Sequence, residues 1–216
     1  MIMPPKMVLF DCDGVLVDSE PLTTALMVEN LETFGLKMSH AAFDAFALGG
    51  TISGVADRAR DLGAKLPDSW VDDIYEEMFA VLGQKVELIE GVTGVLDQLD
   101  RAGIVYAVGS NGPHRKMAVT LTRTGLIDRL RGRVYSREDV ASPKPAPDVY
   151  LKAAQDAGIA PEHCVVIEDS PSGARAGKAA NMHCFGFAAD TSADRLTPIC
   201  DGVFDRMEAL PALLGL

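Results

Sequence analysis

The sequence predicts an α/β fold in which helices cover both faces of a parallel sheet and an all-helical domain is inserted into that sheet. Short apolar runs recur along the 216 residues with helical segments between them, as expected where crossover helices connect parallel strands. The runs are continuous instead of alternating, as in strands that are buried on both faces. A long helical stretch without a convincing strand follows the first run. These observations indicate a Rossmann-like three-layer core with a helical insertion.

Four apolar runs are the main strand candidates of the predicted sheet. They are MVLFDCD at 7–13, IVYAVGS at 104–110, CVVIEDS at 164–170 and MHCFGF at 182–187. Two shorter runs, RVY at 133–135 and VF at 203–204, are weaker candidates. Runs of this length suit buried strands better than helices. The sequence therefore predicts a sheet of four to six strands.

Helices are predicted in the segments that connect these strands. Their approximate ranges are 20–35, 91–102, 114–124, 147–157, 171–180 and 206–214. Ser19 can cap the first helix, with Pro21 near its beginning, because both residue types favour a helix start. Pro147 and Asp148 open the fourth helix, which stops at Gly158.

Residues 18–88 are predicted to form a separate, helical cap domain. Within DSWVDDIYEEMFAVLGQKVEL, apolar side chains fall on one face of a helix and acidic side chains on the other. The apolar face contains Trp70, Ile74, Met78, Val81 and Leu82, and the acidic face contains Asp72, Asp73, Glu76 and Glu77. We interpret the apolar face as the core of this domain. The catalytic core would then comprise residues 1–17 and 89–216.

Composition and charge exclude several classes of protein. Hydrophobic residues make up 48% and charged residues 24% of the chain, close to the average of globular proteins. A formal net charge of -11 opposes binding to nucleic acid, which needs clustered Lys and Arg. The sequence has no long apolar span and no cleavable leader pattern. We therefore expect a cytoplasmic protein that binds neither nucleic acid nor membrane.

Two acidic pairs follow predicted strands and indicate a metal site. Asp11 and Asp13 come at the end of the first apolar run, and their spacing of two places them on the same side of an extended chain. Glu168 and Asp169 come directly after CVVI. Either pair alone could simply begin a loop. If the two strands are neighbours, however, the carboxylates converge at the sheet edge where ligands bind and suit Mg²⁺.

Two further segments offer groups that could bind phosphate. VGSNG at 108–112 presents Ser110 and Asn111 beside glycines, although by itself it is typical of an ordinary turn. SPKPAPD at 142–148 holds Lys144 between two prolines, which stiffen the loop. A single Lys is usually a solvated surface charge, but one held rigidly opposite an acidic cluster is a candidate phosphate ligand.

The order of these motifs, DxDGV, Ser-Asn, Lys-Pro and EDSPSG, resembles the haloacid dehalogenase-like hydrolases over almost the whole chain. The helical insertion is similar to the type 1 cap of β-phosphoglucomutase-like and sugar-phosphate phosphatase members. The resemblance implies that Asp11 is a nucleophile forming an aspartyl-phosphate and that Asp13 is the general acid and base. It also implies that Ser110, Asn111 and Lys144 hold the transferring phosphoryl group.

The same resemblance implies the cofactor and the class of substrate. Mg²⁺ would be bound by Asp11, the backbone carbonyl of Asp13, Asp169 and Glu168, the last as a ligand or a neighbour of the ligands. Small phosphorylated metabolites, sugar or sugar-acid phosphates, would be hydrolysed by a protein that we expect to be monomeric. SNGPHRKM at 110–117 and VELIEG at 86–91 resemble 6-phosphogluconate phosphatase-like members.

Two other functions stay open on the sequence alone. A β-phosphoglucomutase-type mutase shares the first motif, but mutases of this family typically have His where this chain has Thr23. A non-catalytic metabolite-binding member of the fold is less favoured, because the four residues that such a protein would lose, Asp11, Asp13, Lys144 and Asp169, are all present. The segment 47–58, which contains Gly49, Gly50 and Gly54, resembles the cap loop that meets the active site in related enzymes and could equally be a flexible turn.

Overall fold

A computed structural model of the chain describes residues 4–47 and 51–216. These residues form two compact units. The larger unit contains the chain up to Asp18 and resumes at Glu87–Leu216, and the smaller unit is Ser19–Val86. Among the described helices, none combines the length and the hydropathy that crossing a bilayer requires.

The larger unit is built on a parallel sheet, which confirms the predicted fold class. The chain forms eight strands in the described residues: β1 Met7–Phe10, β2 Val17–Asp18, β3 Glu87–Leu88, β4 Val105–Ser110, β5 Val134–Ser136, β6 Cys164–Glu168, β7 His183–Phe187 and β8 Gly202–Phe204. Six of them form one sheet in the order β5-β4-β1-β6-β7-β8, and every pairing in it is parallel. All four main strand candidates and both weaker ones are strands of this sheet.

The first strand ends earlier than its apolar run suggests. Strand β1 stops at Phe10, three residues before the end of the run at 7–13. A tight turn follows it, in which the backbone N–H groups of Leu16 and Val17 both donate to the carbonyl of Cys12. The acidic residues after Phe10 therefore lie in a loop at the edge of the sheet.

Two short strands contradict the prediction that residues 18–88 contain no strand. Β2 and β3 pair in antiparallel fashion, with Val17 opposite Leu88 and Asp18 opposite Glu87. Two residues are too few to produce a recognisable alternation of apolar and polar side chains. This small ladder ties the two chain segments together where the chain passes between the larger and the smaller unit.

The smaller unit contains four helices in its described residues. They are α1 Glu20–Thr33, α2 His40–Ala47, α3 Ile52–Asp61 and α4 Trp70–Lys85. Ser19 occupies the cap position of α1 and Pro21 lies in its first turn, as predicted, but the Ser19 side chain makes no capping hydrogen bond. Thr51 caps α3 by accepting from the N–H of Gly54 at 3.1 Å. Gly49 and Gly50, which belong to the predicted cap loop, lie outside the described residues.

The core of the smaller unit forms along the apolar face predicted for α4. Trp70, Ile74, Met78 and Leu82 are buried, whereas Val81 is half-buried. The indole N–H of Trp70 donates to the side-chain oxygen of Asn30 at 2.7 Å, which satisfies the one polar group of this large side chain. Trp70 and Ile74 belong to the hydrophobic core of the smaller unit, and the burial of Met78 and Leu82 agrees with the predicted face.

Six further helices lie in the described residues of the larger unit. They are α5 Val92–Ala102, α6 His114–Arg123, α7 Asp148–Asp156, α8 Pro171–Ala179, α9 Ala193–Leu196 and α10 Leu210–Leu213. As predicted, helix α7 begins after Pro147 and ends before Gly158. Gly158 has a φ of 67°. The single helix predicted at 206–214 is wrong, because a 3₁₀ turn at Met207–Ala209 precedes α10.

Candidate active site

Three loops that carry the predicted site residues meet at one edge of the sheet. Β1 lies between β4 and β6, and its last residue, Phe10, is in register with Val108 and Ile167. Since the three strands are parallel, their last residues and the residues that follow them lie at the same edge. The structure therefore brings Asp11, Ser110 and Glu168 into one region.

Lys144 lies at the centre of this region. Its ammonium nitrogen is 2.6 Å from Oδ1 of Asp11 and 2.6 Å from Oε1 of Glu168. All three side chains are buried, so each ion pair is shielded from water and strengthened by the low local dielectric. A lysine that could have been a solvated surface charge is thus the buried counter-ion of two carboxylates.

Asn111 holds the loop that carries Lys144. Its side-chain NH₂ donates to the Lys144 carbonyl at 3.1 Å, and its side-chain oxygen accepts from the Lys144 N–H at 2.9 Å. The two hydrogen bonds fix the backbone of Lys144 from both sides. The predicted contact between Asn111 and a phosphoryl group stays a prediction.

Glu168 is held by two residues that the sequence did not single out. The phenol of Tyr150 donates to Oε1 of Glu168 at 2.7 Å, and the hydroxyl of Ser170 donates to Oε2 at 3.0 Å. The Lys144 ammonium also lies 4.7 Å from the centre of the Tyr150 ring, a favourable cation–π distance. Tyr150 therefore positions both members of the Lys144–Glu168 pair.

The buried cluster shifts the protonation of its members. Burial raises the pKa of Asp11 to about 7, and the neighbouring Glu168 and Asp13 add to this against the opposing charge of Lys144. Burial by itself lowers the pKa of Lys144, but Asp11 and Glu168 outweigh it and raise that pKa above its usual value. Lys144 consequently stays charged at neutral pH, while Asp11 gains or loses a proton there.

Three carboxylates could hold a metal ion. Asp11, Glu168 and Asp169 each offer one oxygen, and these oxygens lie within 4.8 Å of one another. Carboxylate oxygens are the donors that Mg²⁺ prefers, so this set of residues fits that ion. Gly14 adopts a φ of 75°, and a Cβ placed there would be 2.3 Å from Oδ2 of Asp169. A glycine is therefore required where the first loop passes the Asp169 carboxylate.

Asp13 and Ser110 make different contacts from those of the carboxylate cluster. Oδ1 of Asp13 is 2.8 Å from the ammonium nitrogen of Lys116, a residue that the sequence did not single out. The Ser110 hydroxyl oxygen, which is buried, accepts from the N–H of Gly112 at 2.9 Å. The predicted part of Asp13 in metal binding involves its backbone carbonyl and stays a prediction.

Replacing Gly173 by Ala is expected to destabilise the protein by about 2–4 kcal/mol, as buried hydrogen bonds and ion pairs are disrupted. A Cβ at Gly173 would lie 1.6 Å from Oε1 of Glu168. The Glu168 carboxylate cannot simply turn away, because Lys144 and Tyr150 both bind that oxygen. The free energy of unfolding, measured by urea denaturation, reports the effect.

Gly94→Ala is the matched control for this substitution. Gly94 lies inside α5, and a Cβ there meets no atom within 4 Å. Since Ala favours a helix more than Gly does, we expect an increase in stability of about 0.5–1 kcal/mol. Equal stability of Gly173→Ala and wild type would show that the Glu168 carboxylate is free to move.

Comparisons with known proteins find a matching family model and related proteins. A family model described as haloacid dehalogenase-like hydrolase matches residues 5–181. The chain is similar to 6-phosphogluconate phosphatase of Escherichia coli strain K12, with 28% identity over 209 residues, covering 95% of this chain and 93% of the relative. It is also similar to hexitol phosphatase A of the same strain, with 29% identity over 198 residues, covering 88% of this chain and 87% of the relative.

A solved structure matches almost the whole chain. It is the crystal structure of a HAD family hydrolase from Deinococcus radiodurans R1 with bound phosphate and sodium. The two chains are 32% identical with a TM-score of 0.85, and the match covers 99% of this chain and 96% of that chain. The residues of the site described above thus lie within a fold shared with that hydrolase.

Proposed function

Since the chain belongs to the haloacid dehalogenase-like hydrolase family, we propose that it is a Mg²⁺-dependent phosphatase acting on small phosphate monoesters through an aspartyl-phosphate on Asp11. The observation that supports this most is the buried ammonium of Lys144, 2.6 Å from the Asp11 carboxylate. Phosphoryl transfer depends mainly on positioning and on neutralising charge. A fixed cation beside a carboxylate at the sheet edge provides both for an anionic substrate.

In the first half of the proposed reaction, an oxygen of Asp11 attacks phosphorus and the bond to the ester oxygen breaks. Asp13 gives a proton to the departing oxygen, which leaves as an alcohol. In the second half, Asp13 takes a proton from a water molecule whose oxygen attacks phosphorus. The bond to Asp11 breaks, and inorganic phosphate leaves. Ser110, Asn111 and Lys144 hold the phosphoryl group throughout.

Asp11, Glu168 and Asp169 are the residues proposed to hold Mg²⁺, together with the backbone carbonyl of Asp13. Their three carboxylate oxygens lie within 4.8 Å of one another. When bound, Mg²⁺ supplies positive charge that offsets repulsion between the phosphate and the carboxylates. Burial is the main reason why the pKa of Asp11 is raised, and repulsion by Glu168 and Asp13 adds to it.

The proposed function includes a class of substrate, a role for each domain, an oligomeric state and a cellular location. We propose sugar or sugar-acid phosphates as substrates, which the similarity to 6-phosphogluconate phosphatase and hexitol phosphatase A supports. Residues 18–88 are proposed as the cap domain and residues 1–17 with 89–216 as the catalytic core. We also propose that the enzyme is monomeric and cytoplasmic and binds neither nucleic acid nor membrane.

The proposed function is tested by phosphate release from a panel of sugar, sugar-acid, nucleotide and glycolytic phosphates. We expect turnover of sugar or sugar-acid phosphates with Mg²⁺ and its loss when a chelator is added. Turnover that persists with chelator would contradict the metal requirement. If no phosphate is released, conversion of β-glucose 1-phosphate would support a mutase, and its absence would support a metabolite-binding protein.

A further inference from the structure

Lys116 occupies a position where a lysine is locally unfavourable. It lies in the first turn of α6, which begins at His114, and the positive end of the helix dipole there repels a cation. Its side chain is only 16% exposed, so the ammonium also loses much of its hydration. A lysine in such an unfavourable position indicates a compensating interaction with another part of the structure.

The compensating interaction of Lys116 is an ion pair with Asp13. The Lys116 ammonium nitrogen lies 2.8 Å from Oδ1 of Asp13, whose side chain is 20% exposed. The contact joins residues that are 103 positions apart in the sequence. It therefore fixes the first loop against the start of α6.

The second oxygen of Asp13 lies on the side of the phosphate-binding residues. A Cβ placed on Gly112 would lie 3.2 Å from the Ser110 hydroxyl oxygen, 3.7 Å from Oδ2 of Asp13 and 3.8 Å from Cδ of Lys116. These three groups therefore surround one point beside Gly112. Lys116 binds Oδ1 of Asp13, and Oδ2 of Asp13 lies near the same point beside Gly112 as the Ser110 hydroxyl oxygen.

We propose that Lys116 is a positioning residue that holds the Asp13 carboxylate for the hydrolysis of the aspartyl-phosphate. This rests on the proposed function. In that step the water oxygen attacks phosphorus, Asp13 accepts the water proton, and the bond from phosphorus to Asp11 breaks. Lys116 keeps its own proton and exchanges none. It acts by keeping Asp13 in one orientation.

Lys116→Met is expected to slow hydrolysis of the aspartyl-phosphate about 10-fold or more, a part of the roughly 10²–10⁴-fold that a positioned acid or base contributes. The measurement is a rapid-mixing assay with p-nitrophenyl phosphate and Mg²⁺. Nitrophenolate leaves without protonation, so the initial burst reports formation of the aspartyl-phosphate and the steady state reports its hydrolysis. We expect an unchanged burst rate, a slower steady state and accumulation of phosphorylated protein by intact mass.

Two control variants make this result specific. Lys116→Arg keeps the cation and should restore most of the steady-state rate. Lys152→Met removes a lysine from an exposed ion pair with Asp156 in α7 and should leave both phases unchanged. Equal slowing of burst and steady state in Lys116→Met, or no slowing, would overturn the inference. Absence of Mg²⁺-dependent phosphate release from wild type would instead overturn the proposed function on which it rests.

Discussion

Asp11→Asn is expected to lower phosphate release by at least about 10³-fold, because an amide cannot form the covalent intermediate. Asn has nearly the size and shape of Asp, and so it should fit the same buried position beside Lys144. The experiment measures Mg²⁺-dependent phosphate release and phosphorylated protein in parallel with wild type. We expect neither product above background from the variant.

The stability of this variant separates lost chemistry from lost folding. Burial raises the pKa of Asp11 from 3.8 to about 7, so the folded chain holds this proton more tightly than the unfolded chain. The contribution of Asp11 to stability is therefore largest below about pH 4 and falls as the pH rises towards about 7. A neutral Asn avoids that loss. Without Mg²⁺ and near pH 8, the variant should melt at or above the wild-type temperature.

Thermal melts near pH 4 and near pH 8 check this expectation. The melting temperature of Asp11→Asn relative to wild type should rise between the two conditions. Turnover retained by a folded Asp11→Asn protein would exclude Asp11 as the nucleophile. A variant that is inactive and also markedly less stable near pH 8 would show that the Asp11 carboxylate is chiefly a structural partner of Lys144.

The sheet could be predicted from the sequence because its strands are buried on both faces. MVLF in β1 and CVVIE in β6 are buried at every position, so burial leaves a continuous run of apolar residues. Other elements do not show a continuous apolar run in the sequence. Β2 and β3 contain two residues each, and the segment 206–214 is apolar enough to resemble one helix. Pro211, at the start of α10, divides it, as proline favours the first turn of a helix.

The site could be predicted only as far as it follows strand ends. Asp11 follows β1 and Glu168 is the last residue of β6, and these strands are neighbours, so their convergence required only that one assumption. Tyr150 and Lys116 lie on helices, where the distance to a strand end depends on tertiary packing. A tyrosine in α7 has the pattern of an ordinary core residue. For Lys116 the sequence contains one weak indication of a special role, which is a cation in the first turn of a helix.

Lys144→Met is expected to destabilise the protein by about 3–5 kcal/mol without Mg²⁺, because removing one partner leaves buried charges uncompensated. The Lys144 ammonium is 3% exposed and lies 2.6 Å from both Asp11 and Glu168. Met fills similar space but leaves the two carboxylates facing each other. Phosphate release should also fall by about 10²–10³-fold, as for loss of a fixed group that stabilises transition-state charge. Urea denaturation and the phosphate assay measure the two effects.

The response to Mg²⁺ makes this prediction specific to the carboxylate cluster. With Lys144 removed, a divalent cation is the remaining charge that can offset Asp11, Glu168 and Asp169, so added Mg²⁺ should raise the melting temperature of Lys144→Met more than that of wild type. Lys178→Met is the matched control, because the Lys178–Asp201 pair is partly exposed, at 38% and 29%, and such pairs contribute about 0–1 kcal/mol. If added Mg²⁺ leaves the melting temperature of Lys144→Met unchanged, the three carboxylates do not form a common cation site.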